Sequence, residues 1–127
     1  MRTGSAAPRA RGNVVEEASE RYLQQQGLQA IERNFNRRGG EIDLVMRDGE
    51  TLVFVEVRFR KSDRFGTPAE SITASKKRKL LQTAQLYLLA YPVWRNKPCR
   101  FDVIAARPGE SGLQFEYFNN VGFTGSP

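Results

Sequence analysis

From Glu41 to Arg47 the chain alternates, with Ile42, Leu44 and Met46 separated by polar residues. That period of two predicts a strand with one buried face. Asp48-Gly49 follows as a hairpin turn, and Thr51 to Arg60 returns with the run Leu52-Val53-Phe54-Val55-Glu56-Val57. Apolar residues on both faces of this second strand mark it as central and covered from both sides. Upstream, Asn13 to Gln26 predicts a helix with Val15, Ala18 and Tyr22 on one face, stopped by Gly27. Glu16 borders that apolar face beside Leu23, whereas Glu17 points nearly the opposite way. Leu28 to Phe35 reads as a short first strand, followed by the loop Asn36 to Gly40.

Beyond the hairpin comes a loop from Lys61 to Ala69. A helix from Thr73 to Tyr91 then carries the stripe Leu80, Ala84, Tyr87, Leu88 and Tyr91, and Pro92 closes it. Two more strands, Arg100 to Ala106 and Leu113 to Phe118, flank Arg107-Pro108-Gly109. The order α-β-β-β-α-β-β predicts an α/β domain, one mixed sheet with helices packed on it. Residues 1–12 read as a flexible basic arm, 13–119 as a single domain and 120–127 as a flexible tail.

Composition narrows the chemistry. The chain has 127 residues, 39% hydrophobic and 27% charged, which suits one packed domain. Lys and Arg outnumber Asp and Glu by 20 to 14, giving +6 and a pI near 9.9. That balance favours a polyanionic partner without deciding one. Histidine is absent, which excludes Ser-His-Asp and Cys-His machinery and removes the commonest zinc ligand. Cys99 is the single cysteine, so no internal disulfide forms and a reducing cytoplasm is expected. The longest apolar run, Leu86 to Tyr91, is far too short to span a bilayer. Met1 to Gly12 has three arginines and no hydrophobic segment, so no secretory signal and no membrane association are expected. The chemistry left to the chain belongs to carboxylates, lysine, arginine and hydroxyls, and carboxylate oxygens suit Mg²⁺ or Mn²⁺.

The acids of the hairpin are the first candidates. If Asp48-Gly49 is a two-residue loop, Arg47 opposes Glu50, Asp43 faces Phe54, and Glu56 faces Glu41. Glu56 is then the diagonal neighbour of Asp43, roughly 7–8 Å away at the backbone. Three acids on one face of a central hairpin repel one another and resist desolvation. A divalent cation between Asp43 and Glu56 relieves that cost. The competing reading is that Arg58 neutralises Glu56 and Arg47 neutralises Glu41. Against it stands the position of Glu56 inside an otherwise apolar strand.

The second unusual feature is Lys76-Lys77-Arg78-Lys79, cations in the first turn of a helix, where the macrodipole disfavours them. Such a terminus suits an anion such as phosphate; the alternative is a solvated turn capped by Thr73 or Ser75. With Arg37, Arg38, Arg58, Arg60, Lys61 and Arg64, these lysines suggest a basic rim for a nucleic-acid backbone around an acidic centre.

Gly40-Glu41-Ile42-Asp43-Leu44 and Phe54-Val55-Glu56-Val57-Arg58 resemble the bacterial YraN family, and the likeness runs from about Gly12 through Phe118. It includes Glu16, Phe65-Gly66 to Lys76, Ala84 with Tyr87-Leu88, and Arg100-Phe101-Asp102-Val103. The family is similar to the PD-(D/E)xK restriction-endonuclease-like superfamily, with its nearest likeness to archaeal Holliday-junction resolvases. The resemblance implies a restriction-endonuclease-like mixed β-sheet flanked by helices and a Mg²⁺ (or Mn²⁺) site. Asp43 is then the motif aspartate and Glu56 the motif acid, with the Val57 carbonyl and Glu16 joining them as metal ligands. Arg58 stands where the nuclease pattern has lysine. Arginine stays protonated and cannot act as a base, so Lys76 is the stand-in, and Asp43, Glu56, Arg58 and Lys76 form the expected catalytic set. Arg37, Arg38, Arg60, Lys61, Arg64, Lys76, Lys77 and Lys79 form the expected nucleic-acid contacts. Asp102 is expected to fix a neighbouring loop by hydrogen bonding and not to bind metal.

These readings imply a metal-dependent endonuclease acting on DNA, branched or recombining, with RNA as the second substrate class and a homodimer by analogy with resolvases. The alternatives are a nuclease fold that binds nucleic acid without cutting it, favoured by Arg58, and a protein-interaction module. No zinc finger, recognition helix or RNA-binding aromatic pattern is present, which favours recognition of structure over sequence.

Overall fold

A computed structural model describes residues 7–61, Pro68 and residues 71–122, with side chains from Val14 onward. Arg64 and the end of the expected tail lie outside the described residues. The element order is α1 (Ala7–Gln25), β1 (Gln29–Arg37), β2 (Gly40–Asp48), β3 (Thr51–Phe59), α2 (Ala74–Ala90), a single 3₁₀ turn (Pro92–Trp94), β4 (Cys99–Gly109) and β5 (Gly112–Phe118). This is the expected order α-β-β-β-α-β-β. Helix α1 opens at Ala7, within the stretch expected to be a flexible arm, and the 3₁₀ turn after Pro92 is additional.

The sheet runs β1-β2-β3-β4-β5. Strands β3 and β4 are parallel and the other three pairs antiparallel, so α2 is the crossover that parallel pairing requires. As expected, β3 is central, and Leu52 to Glu56 are all buried. One core lies on the α2 side, where Phe35, Ile42, Val45, Leu52 and Phe54 pack with Leu80, Ala84 and Tyr87. The other, on the α1 side, joins Leu23 and Leu28 to Leu44, Met46, Val53, Val55 and Ile104. Tyr87 anchors the first core, with edge-on contacts to Phe35 at 4.9 Å and Phe54 at 5.7 Å.

The helix ends follow from local chemistry. Gly27 takes φ +105, and the Leu28 N–H bonds back to the Leu23 carbonyl at 3.1 Å, closing α1. Thr73 caps α2, its hydroxyl accepting from the Lys76 N–H at 3.1 Å.

The hairpin register differs from the sequence expectation. Asp48 pairs with Thr51, Arg47 with Leu52 and Leu44 with Val55, so the turn is Gly49-Glu50 and not Asp48-Gly49. Gly49 supplies the positive φ of +62 at the first central position, and Glu50 does not adopt one; the type II′ turn asks for that arrangement. The expected pairs of Arg47 with Glu50, Asp43 with Phe54 and Glu56 with Glu41 are therefore replaced. Continued past Leu44 and Val55, the observed register sets Asp43 opposite Glu56. Glu41 instead pairs with Asn36 of β1.

The alternation within β2 also slips. Ile42 belongs to the α2-side core with Val45, whereas Leu44 and Met46 belong to the α1-side core. The three residues expected on one face are thus split across Asp43. Across from Asp43, between the pairs Arg33–Leu44 and Phe35–Ile42, Asn34 holds φ +58. Left-handed backbone is uncommon outside glycine and least costly for Asn and Asp, and here it interrupts regular pairing beside Asp43.

Candidate metal centre

The ladder between β2 and β3 ends at Leu44 and Val55. One residue further, the backbone of β3 bonds to a side chain of β2: the Val57 N–H donates to Asp43 Oδ2 at 2.8 Å. Asp43 and Glu56 therefore stand in the fork of the two central strands. Glu56 is only 5% exposed, because β3 is covered on both faces.

Two further acids reach the fork. Glu16 from α1, Glu41 and Asp43 place carboxylate oxygens within 4.8 Å of one another. Their neighbourhood is reflected in Asp43, whose carboxyl is pushed up to about 8, first by burial and then by the Glu56 charge, with smaller effects of Glu16 and Glu41. The Val57 hydrogen bond works in the opposite direction. Burial also raises Glu56, against the pull of Lys76 and Arg58.

The cations gather on Glu56. Lys76 Nζ lies 3.6 Å from Glu56 Oε2, and Arg58 Nη1 lies 3.8 Å from the same oxygen. Arg58 is held in turn by Nη2 donating to Ser71 Oγ at 3.1 Å, and the Ser71 hydroxyl donates to the Pro68 carbonyl at 2.8 Å. Lys76 arrives because Thr73 fixes the first turn of α2 over the end of β3. The other carboxylate oxygen, Glu56 Oε1, is buried and has no N–H donor among the described residues, and Glu56 is hydrogen-bonded to the Asp43 carboxyl. Two buried carboxyl groups in contact do not both ionise without a compensating positive charge. Four carboxylates offering only hard oxygen donors fit Mg²⁺ or Mn²⁺ in chemistry and charge.

The structure thus brings together Asp43, Glu56, Glu16, Val57, Arg58 and Lys76. It adds Glu41, whose place on the acidic face was legible but which sequence spacing directed toward Glu56 instead of Asp43. It also adds Ser71, a loop serine with no signal in the sequence. Arg47 does not neutralise Glu41: it donates to the Gly49 carbonyl at 3.0 Å and lies over the Trp94 ring at 5.1 Å.

The residues of the expected basic rim come from several elements. Arg37 is exposed and sits 4.2 Å over the Phe35 ring, with exposed Arg38 in the following turn. Gly40 packs against Thr83 and the Lys79 carbonyl, so that turn lies beside α2, near exposed Lys79 and half-buried Lys77. Arg60 and exposed Lys61 lie beyond the end of β3.

Asp102 is fully buried outside the fork. It accepts from Arg100 Nε at 3.0 Å and Nη2 at 3.2 Å, from the Tyr117 hydroxyl at 2.5 Å and from the Asn120 N–H at 2.8 Å. It fixes the segment after β5, the role expected of it, and burial together with the Asp102 carboxylate pushes the Tyr117 phenol up to about 12. Among the described residues no helix is long and apolar enough to cross a membrane.

Comparison with known proteins places these residues within a family. The family described as "Uncharacterised protein family UPF0102" matches residues 15–106. A UPF0102 protein of Xanthomonas oryzae pv. oryzae (strain PXO99A) is 54% identical over 101 residues, covering 80% of this chain and 83% of that protein. One from Pseudomonas putida (strain GB-1) is 48% identical over 118 residues, covering 92% and 96%. One from Janthinobacterium sp. (strain Marseille) is 54% identical over 94 residues, covering 74% and 75%.

Proposed function

This chain belongs to the uncharacterised protein family UPF0102, the YraN family its motifs resemble, and from that premise we propose that the fork is the metal centre of a nucleic-acid-cleaving enzyme. The observation that carries the reading is the buried pair of carboxyl groups, Asp43 and Glu56, held together in one fork with Glu16 and Glu41 beside Asp43. Asp43, Glu56, Glu16 and the Val57 carbonyl would hold Mg²⁺ or Mn²⁺. When bound, the ion supplies Lewis-acid polarisation of a scissile phosphate and acidifies water.

The remaining work belongs to the chain. Lys76, 3.6 Å from Glu56, orients the attacking water in place of the lysine that the nuclease pattern puts where Arg58 stands. Arg58, fixed by Ser71, is a permanent cation that binds the phosphate and offsets charge developing on it. Arg37, Arg38, Lys77 and Lys79 track the phosphate backbone from the α2 side. DNA is the preferred substrate, in a branched or recombining form, and a homodimer would present two such centres to two strands.

A second reading, a nucleic-acid-binding fold that does not cut, is favoured by Arg58 at the lysine position. Replacing Arg58 with Lys separates the two. Cleavage that appears only in the variant marks a retired site, and cleavage already present in the native protein marks a working one.

The decisive test is calorimetric titration of Mg²⁺ and Mn²⁺ in the presence of a non-cleavable DNA junction. Saturable binding lost in both Asp43→Ala and Glu56→Ala is expected. Junction binding without any metal uptake overturns the enzyme reading.

A further inference from the structure

A second cavity lies at the far end of β3. It has a volume of about 230 Å³ and is lined by Arg60, Pro68, Ala106, Arg107, Gln114 and Glu116, among others. The Arg60 N–H donates to the Ala106 carbonyl at 2.9 Å, so the backbone of β3 stays attached to β4 one residue beyond the strand. Among the described residues one nitrogen of its guanidinium, Arg60 Nη1, is buried and has no hydrogen-bond partner, while other atoms of the side chain line the cavity. A guanidinium is a planar fork of donors, and withdrawing one of its nitrogens from water without an acceptor is unfavourable. Turning the Arg60 guanidinium toward the cavity would give that donor an acceptor on a bound group.

We propose that this cavity is a seat for a phosphodiester group of a nucleic-acid strand that also crosses the Asp43–Glu56 fork. The inference rests on the nucleic-acid reading above and adds a place and a chemistry to it. The size fits: about 230 Å³ is room enough for a phosphate group with part of its sugar. The charge fits as well. Among the described lining residues two arginines, Arg60 and Arg107, stand against one carboxylate, Glu116, an excess of one positive charge that suits a singly charged diester better than a terminal phosphate carrying about −1.5 to −2.

Position completes the argument. Strand alternation sets Glu56, Arg58 and Arg60 on one face of β3. Four residues at about 3.3 Å each place Arg60 roughly 13 Å from Glu56 along that strand, farther than the separation of adjacent phosphates along a nucleic-acid strand. The group bound there is therefore a flanking phosphate and not the scissile one.

The test uses the full chain with all divalent metal chelated, so that it does not depend on the metal centre. Binding of a short single-stranded DNA with a 5′-hydroxyl end is measured across salt concentrations for the native protein, Arg60→Gln, Arg60→Lys and Gln114→Glu. Gln114 is exposed, so its variant adds a negative charge to the lining without disturbing the core.

Arg60→Gln and Gln114→Glu are expected to weaken binding about tenfold, and Arg60→Gln to lower the salt slope by about one. Arg60→Lys is expected to keep the slope while losing part of the affinity, because the charge stays and the fork is lost. Native affinity and slope in both Arg60→Gln and Gln114→Glu overturn the proposal. So does a preference of more than about tenfold for the same DNA with a 5′-phosphate, which would assign the seat to a terminal monoester.

Discussion

Val57 and Asp43 are joined by a hydrogen bond from main chain to carboxylate, 2.8 Å long, at the place where β2 and β3 stop pairing with each other. The side chain of Asp43 takes over the acceptor role of a neighbouring strand, which lets the two strands part and turns their fork into a pocket of acids. The same bond fixes Asp43 in a buried position, where its charge is costly.

A pH dependence of stability follows. The folded Asp43 carboxyl keeps its proton up to about 8, whereas the unfolded one loses it near 3.8. Between those values the folded state binds more protons, so this group's contribution is complete below about pH 4 and is lost as pH rises toward 8. In metal-free protein, urea unfolding is expected to show stability falling from pH 5 to pH 8 through this group. Asp43→Asn, which keeps an acceptor for Val57, should flatten that slope and stabilise the protein at pH 8 by about 2 kcal/mol. Parallel curves for the two proteins would show that Asp43 is not strained by its burial.

Lys76 and a bound cation compete for Glu56. Lys76→Met removes an ammonium 3.6 Å from Glu56 Oε2, so Mn²⁺ affinity is expected to rise by about threefold to tenfold. Cleavage of DNA, where the native protein shows it, should fall by about 10²–10⁴. Tighter metal with lost cleavage identifies Lys76 as a group acting on the reaction; unchanged metal affinity would remove it from the centre.

Asp102 serves stability alone. It gathers Arg100, Tyr117 and the Asn120 N–H around a fully buried carboxylate. Asp102→Ala leaves those donors without their acceptor and is expected to cost about 3–5 kcal/mol in urea unfolding. Metal affinity, measured where the variant is folded, should stay at the native value.

Gly40 controls the distance between the hairpin and α2. A Cβ there would collide with Thr83 Oγ1 and lie 3.3 Å from the Lys79 carbonyl, and Thr83 Oγ1 is itself committed to that carbonyl at 2.8 Å. Gly40→Ala is expected to cost about 1–3 kcal/mol. It should also weaken Mn²⁺ binding, because pushing α2 outward displaces the neighbouring Glu41. A fall in melting temperature with unchanged metal affinity would confine Gly40 to packing.

Much of this protein is legible in its sequence. The continuous apolar run around Phe54 identifies β3 as central because only a strand buried on both faces sheds polar residues from both. Gly27 and Thr73 mark helix ends because the chemistry of a cap is local. Glu56 stands out because an acid inside such a run needs a partner.

Tertiary structure alone decides the rest. The hairpin register turned on which residue takes positive φ, Gly49 first and not Asp48, a choice among turns of similar energy. The slip at Asp43, opposite left-handed Asn34, splits Ile42 from Leu44, which strict alternation cannot foresee. Glu16, Lys76 and Ser71 come from three separate segments, and neither their distances to the fork nor the Arg60 cavity has a local signature. Periodicity and caps act over a few residues and are written in the chain, whereas the meeting of charged groups across a fold depends on how whole elements pack.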